Sequence, residues 1–255
     1  MQQEPVKKRL EVCLTPAVYK LHEDPGSIVV VIDILRASSA ICTAFANGAE
    51  YIIPVADLDI ARSFKQKGYM VAAERDGYVL DFADFGNSPF NFTPGRVRNK
   101  TIVYSTTNCT RIIDMASLSK AVVIGSFLNL TALSRWLADQ QSDVLLLCSG
   151  WKDKVNLEDT ICAGAFASQL LGSGKYTTIC DSTHISIDLW NLAKDSPLDY
   201  IEKAAQRSRL RDKGLDDCLE YCLVPDSVQS IPFYENGKLR DIGTGSVSGK
   251  SPRHD

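Results

Sequence analysis

Apolar runs alternate with amphipathic ones along most of the chain. Runs rich in Val and Ile predict strands over 9–15, 28–35, 51–55, 69–73, 101–105, 121–125, 143–149, 177–180 and 221–225. Several are apolar without interruption, the pattern of strands covered on both faces. Between them, helical spacing predicts helices over 38–47, 57–67, 107–116, 128–139, 158–171, 184–194 and 197–211. In the fourth of these, Leu130, Leu133 and Leu137 fall on one face. Strands and helices in this order predict a layered α/β fold around a mostly parallel sheet. Two stretches break the rhythm. Residues 74–100 carry Gly77, Gly86, Pro89, Pro94 and Gly95 with little periodicity, and a loop that long in a compact domain is usually functional or disordered. Residues 243–255 are rich in Gly and Ser and predict a disordered tail. The organisation expected is one α/β domain over 1–242, with a division into two subdomains as the variant.

Composition narrows the classes. The 255 residues are 45% apolar and 23% charged, which excludes disorder for the bulk of the chain. A formal net charge of −3 argues against a general nucleic-acid or membrane-surface binder. No apolar run reaches the roughly 20 residues of a membrane span, and the run over 28–35 is broken by Asp33. The polar, basic N-terminus is followed by no signal core. Most of the eight cysteines sit inside apolar runs, as buried free thiols do in a reducing compartment. A cytoplasmic protein is the expectation. Cys218 and Cys222 have no histidine nearby, which argues against zinc.

In open α/β sheets, ligands bind beyond the carboxyl ends of the strands. There the chain places Asp33, Arg36, Ser38 and Ser39; Glu74 and Arg75; Thr106, Thr107, Asn108 and Thr110; and Ser149 and Gly150, with Glu158 and Asp159 shortly after. Hydroxyls and free amides at helix N-termini bind oxyanions, and either arginine can add a bidentate fork. The carboxylates Asp33, Glu74, Glu158 and Asp159 are hard oxygen ligands suited to Mg²⁺. Together they suggest metal-assisted phosphoryl chemistry. Each also has a plain structural reading. Ser38, Thr107 and Asp57 suit helix N-caps, and Glu158 and Asp159 suit the positive end of a helix dipole. Asp33 differs, because a carboxylate ending so apolar a strand needs a partner or a metal. Arg36 as that partner and a catalytic role for Asp33 weigh equally.

The run Val31-Ile-Asp-Ile-Leu-Arg-Ala-Ser-Ser39, followed by Ala46-Asn-Gly-Ala49, resembles the opening motif of the 2-phosphosulfolactate phosphatase (ComB-like) family. So do Ala73-Glu74-Arg75, Phe85-Gly-Asn-Ser-Pro89, Ser105-Thr-Thr-Asn-Cys-Thr110, and Cys148-Ser-Gly150 with Leu157-Glu-Asp159 and Cys162-Ala-Gly164. The resemblance spans about residues 9 to 242. It implies a three-layer α/β/α fold and a Mg²⁺-dependent phosphatase that releases sulfolactate, an intermediate of coenzyme M biosynthesis. Ala73, Asp76 and Cys109 stand where the pattern of that family is expected to have glycine.

On this footing Asp33, Glu74, Glu158 and Asp159 are expected to hold Mg²⁺. Arg36 and Arg75 are expected to act in catalysis with Asp33 and Glu74. Ser38, Thr107, Asn108 and Ser149 are expected to bind a small anionic phosphoester, with Asn87 and Ser88 closing over it. A water on the metal is the expected nucleophile, with a phosphoenzyme on Asp33 as the alternative. Other readings are weaker. Asp57-Leu-Asp59 imitates an aspartyl-nucleophile loop but suits a helix cap better. His184 heads a helix and is more a cap-region residue than a general acid. Arg207, Arg209, Arg211 and Lys213 read as a solvated helix end, with substrate-anion or dimer contact as the minority reading. Another small 2-phospho-carboxylate as substrate, and a non-catalytic phosphate or sulfonate binder, are the alternatives in function. No membrane or nucleic-acid partner is expected, and a homodimer is the default.

Overall fold

A computed structural model describes residues 6–243. The tail expected from 243 onward therefore lies, past its first residue, outside the described residues. The strands are β1 (Lys8–Cys13), β2 (Ile28–Ile32), β3 (Tyr51–Pro54), β4 (Met70–Arg75), β5 (Tyr78–Val79), β6 (Thr101–Ser105), β7 (Ala121–Gly125), β8 (Val144–Cys148), β9 (Tyr176–Thr177), β10 (Pro232–Glu235) and β11 (Lys238–Asp241). The helices are α1 (Ala37–Ala46), α2 (Leu58–Gln66), α3 (Pro94–Val97), α4 (Cys109–Met115), α5 (Leu130–Asp139), α6 (Leu157–Gly172), α7 (Asp181–Ala193), α8 (Pro197–Tyr200), α9 (Ala205–Asp212) and α10 (Leu219–Leu223).

One mixed sheet runs in the order β5-β4-β6-β3-β11-β10-β7-β2-β8-β1-β9. Two parallel blocks, β4-β6-β3 and β7-β2-β8-β1-β9, are joined through the antiparallel β10–β11 hairpin. The apolar run of β2 is uninterrupted because both faces are covered. Ile28, Val30 and Ile32 enter one core with residues of α5, α6 and α7, while Val29 and Val31 enter another with residues of α1 and α4. The α/β/α layering expected from the sequence is therefore present. The second core also takes Ala72 from β4 and Ile102 and Tyr104 from β6. The sheet thus wraps around α1 and α4, which brings the ends of β4 and β6 toward those of β2 and β8. Against the other face, α6 and α7 meet so closely that a Cβ on Gly164 would collide with the Ser186 carbonyl.

Three expectations need correction. Residues 221–225 were expected as a strand but form the end of α10 and the turn after it, because Leu219, Cys222 and Leu223 recur at helical spacing and all three are buried. The helix expected over 197–211 is broken at Ala204, whose backbone is extended and starts α9 anew. The hairpin β10–β11 was not anticipated, although Asn236-Gly237 at its turn, with φ of 52° and 79°, is the residue pair that such tight turns favour. All eight cysteines are free thiols, buried except for Cys180. Among the described residues no helix is long and apolar enough to cross a membrane.

Candidate active site

The loops that follow β2, β4, β6 and β8 meet at one edge of the sheet. They form the floor of a narrow cleft, and α9 forms a wall. Asp33, Arg36, Glu74, Asn87, Thr106, Trp151, Gln206, Arg209 and Lys213 are among its lining residues, and its cavity volume is about 40 Å³.

The floor is assembled by carboxylates that grip backbone. Glu74, buried at the end of β4, accepts the Thr107 amide at 2.9 Å and the Thr107 hydroxyl at 3.2 Å on one oxygen, and the Gly77 amide at 2.7 Å on the other. It therefore ties the turn after β4 to the loop after β6. Asp159, in the first turn of α6, accepts the Ile34 amide at 3.0 Å and the Gly150 amide at 3.1 Å. It ties the loop after β2 to the loop after β8. Gly150 can turn there because it lacks a side chain: its φ is 59°, and a Cβ would strike the Lys154 carbonyl.

Two acids are not saturated in this way. Asp33 opens into the cleft. Burial pushes its carboxyl up to about 6, and the Glu74 charge adds to the rise, while the Ser149 hydroxyl and Ala37 amide oppose it. Glu158 is 1% exposed, and neither carboxylate oxygen has a hydrogen-bond partner. Burial pushes it up to about 7; the Arg209 charge lowers it and the Asp33 charge raises it. Asp159 is raised as well, first by burial and then by the charges of Asp33 and Glu158. This is a site of crowded negative charge in a dry setting, which a cation would relieve.

Arg36 is buried at the head of α1. It donates to Asn87 Oδ1 at 2.9 Å and to the Leu215 carbonyl at 3.2 Å, and Asp217 lies 3.9 Å away. Arg75 points elsewhere. It donates to the Glu74 and Ala56 carbonyls at 2.7 and 2.8 Å and to the Ser105 hydroxyl at 2.9 Å, which binds the floor together without facing the cleft. Ser38 and Thr107 are not the N-caps expected, since those positions fall to Arg36 and Asn108; Ser38 sits in the first turn of α1, its hydroxyl accepting the Asp33 amide at 3.2 Å. Asn108 donates to the Gly150 carbonyl at 3.1 Å. Ser149 is buried between the Asp33 carboxyl and the Gly150 carbonyl, to which it donates at 3.3 Å. Ser88 precedes a short 3₁₀ turn, Pro89–Asn91, behind Asn87.

Several lining residues were not singled out from the sequence as site residues. Thr106 has a buried hydroxyl without a partner. Trp151, Gln206 and Asp76 line the cleft too. Arg209 and Lys213 belong to the basic cluster read mainly as a solvated helix end, and the cleft is where the structure puts them. Arg207 and Arg211 do pair outward, with Glu202 and Asp216. Asp57 is an N-cap, accepting the Asp59 and Ile60 amides at 2.7 and 3.0 Å. His184 is exposed on α7 and does not line the cleft. Asp76 adopts φ 52°, the left-handed region glycine prefers. Cys109 is helical at the head of α4 and buried in the core.

Among the described residues, no three His, Cys, Asp or Glu side chains converge as a complete metal centre. Asp33 and Glu158 still fit a cation that needs few protein ligands. Their oxygens are hard ligands, and those of Glu158 accept no hydrogen bond, whereas Glu74 and Asp159 also hold backbone amides and keep lone pairs on Glu74 Oε2 and on both Asp159 oxygens.

Residues 13–237 match the family model described as 2-phosphosulpholactate phosphatase. The chain belongs to the 2-phosphosulfolactate phosphatase family. This is a family of phosphoric monoester hydrolases, so the chain is an enzyme of that class. Among its relatives is a probable 2-phosphosulfolactate phosphatase of Caldanaerobacter subterraneus subsp. tengcongensis, 30% identical over 216 residues, 83% of this chain and 89% of the relative. Proteins of the same name from Symbiobacterium thermophilum and Thermotoga maritima are 31% and 32% identical over 222 and 208 residues. They cover 86% and 82% of this chain, and 95% and 89% of each relative. The family match spans every strand of the cleft floor.

Proposed function

We propose that the protein hydrolyses 2-phosphosulfolactate to sulfolactate and phosphate with Mg²⁺ as cofactor. The observation that carries the reading is the pairing of Asp33, open to the cleft, with the buried, unpartnered Glu158 carboxylate behind it. Two carboxylates are what Mg²⁺ commonly takes from a protein, leaving its other positions to water and substrate oxygens. The ion, when bound, supplies charge that offsets the negative charge of the transferring phosphoryl group. Arg36, held by Asn87 and the Leu215 carbonyl, presents its remaining N–H groups to the phosphate, and the Thr106 hydroxyl takes a further oxygen. Glu74 and Asp159 keep the loops bearing these groups in register. Water adds to phosphorus, the bond to the sulfolactate oxygen breaks, and that oxygen leaves as a hydroxyl. Free, mostly buried thiols support a cytoplasmic setting.

The test is phosphate release from 2-phosphosulfolactate with Mg²⁺ and with excess chelator. Release that chelator abolishes and Mg²⁺ restores is the expected result. Release that survives chelation removes the metal from the reading, and no release under either condition overturns the phosphatase.

A further inference from the structure

The α9 wall presents a cation that the chemistry above leaves unused. Gln206, buried on α9, donates to the Leu35 carbonyl at 3.0 Å, so it is anchored to the loop after β2. Its side-chain oxygen accepts Arg209 Nε at 2.8 Å. The Arg209 guanidinium carbon lies 4.8 Å from the centre of the Trp151 ring. Anchored along one edge and stacked on one face, this guanidinium is fixed in place. Yet its Nη2 is buried without an acceptor. Glu158 faces it electrostatically but accepts no bond from it. Lys213, just past the end of α9, donates to the Asp76 carbonyl and lines the same cleft.

A buried N–H without an acceptor is costly, and on a residue that lines the cleft it points to a ligand oxygen. The ligand is an anion, since a guanidinium with an unfilled N–H is stabilised most by a charge-assisted bond. Arg36 and Thr106 face the cleft from the strand-end floor, beside Asp33, whereas Arg209 faces it from the helix. A substrate whose phosphate rests on the floor therefore directs its second anion to the α9 wall. A sulfonate offers three oxygens to that wall, enough to meet both Arg209 and Lys213.

We infer that Arg209, braced by Gln206 and Trp151, is the specificity-determining residue that binds the substrate's sulfonate while the floor binds its phosphate. The inference rests on the phosphatase reading above and adds the residue that makes it sulfonate-selective.

The test compares wild type with Arg209→Gln and Arg209→Lys on three esters: 2-phosphosulfolactate, 2-phospholactate, which lacks the sulfonate, and the phosphate ester of isethionate, which lacks the carboxylate. Losing one charge-assisted contact is worth about 10- to 100-fold. Arg209→Gln is expected to lower kcat/KM by that factor on both sulfonates and far less on 2-phospholactate, with Arg209→Lys in between. An equal loss on all three esters places Arg209 on the phosphate and overturns the inference. A loss that follows the carboxylate, or no loss, also overturns it. If wild type hydrolyses none of the esters, the phosphatase reading fails by itself. Calorimetric titration of sulfolactate then decides the residue's role, with equal affinity for wild type and Arg209→Gln counting against it. Melting temperatures of the variants separate misfolding from lost recognition.

Discussion

At the cleft floor, Glu74 and Asp159 commit their carboxylate oxygens to amides of neighbouring loops, while on the α9 wall the Nη2 of Arg209 has no acceptor at all. The first arrangement holds the edge of the sheet together. The second is incomplete without something in the cleft. The floor also contains both kinds of group: Asp33 and Glu158 stand beside Glu74 and Asp159, and burial raises the carboxyls of Asp33, Glu158 and Asp159 alike. Saturated groups build the site, and unsatisfied groups act in it. The contrast separates residues that sequence motifs place side by side, such as Glu158 and Asp159.

Replacing Asp33 gives the largest effect. Asp33→Asn is expected to lower kcat/KM for phosphate release on the order of 10³-fold or more, while the melting temperature holds or rises because a desolvated charge is gone. A lost fold, or activity within tenfold of wild type, would move Asp33 into the structural group. Next comes Glu74→Ala, which leaves three donors without their acceptor. Chemical denaturation should show a loss of about 2–4 kcal/mol, and a loss below about 0.5 kcal/mol would break the division between the two groups.

Glu158 sharpens the comparison through pH. Its carboxyl rises from its ordinary value of 4.5 to about 7 in the folded protein. The folded state thus binds this proton more tightly than the unfolded state. The corresponding stability is fully present below about 4.5 and is lost by about 7. Thermal melts without metal should show stability falling across that window. Glu158→Gln should flatten the fall, and Mg²⁺ should recover stability at its upper end in wild type only. A profile that the substitution leaves unchanged would assign the charge to another group. The smallest effect belongs to Asp76→Gly. The φ of 52° favours glycine, but the change also removes the Asp76 contact with Lys152 at 3.2 Å. Stability should stay within about 1 kcal/mol of wild type, and a larger loss would make the Asp76 side chain part of the floor's framework.

Much of this was legible in the order of residues. The continuous apolar run of β2 announced a strand covered on both sides, and Asp33 at its end announced a charge in need of a partner. The motif around Glu74 was found, and its neighbour Arg75 was grouped with it. Adjacent strand residues face opposite sides, however, so one carboxylate reaches the loop amides while the next side chain binds carbonyls away from the cleft. Arg209 was visible only as one of several basic residues on a polar helix. Spacing could not separate it from Arg207 and Arg211, because what distinguishes them is the acid that each one meets or lacks.

Local periodicity and turn chemistry were sufficient to specify the strands, most of the helices and the set of loops from which a site could be built, since these depend on neighbours within a few positions. The wrapping of the sheet around α1 and α4, the C-terminal hairpin joining its two parallel blocks, and the meeting of Arg209 with Trp151 depend on contacts between residues far apart in the chain. Those contacts follow from how the apolar faces are buried together, and they determine which polar groups find partners and which are left facing the cleft.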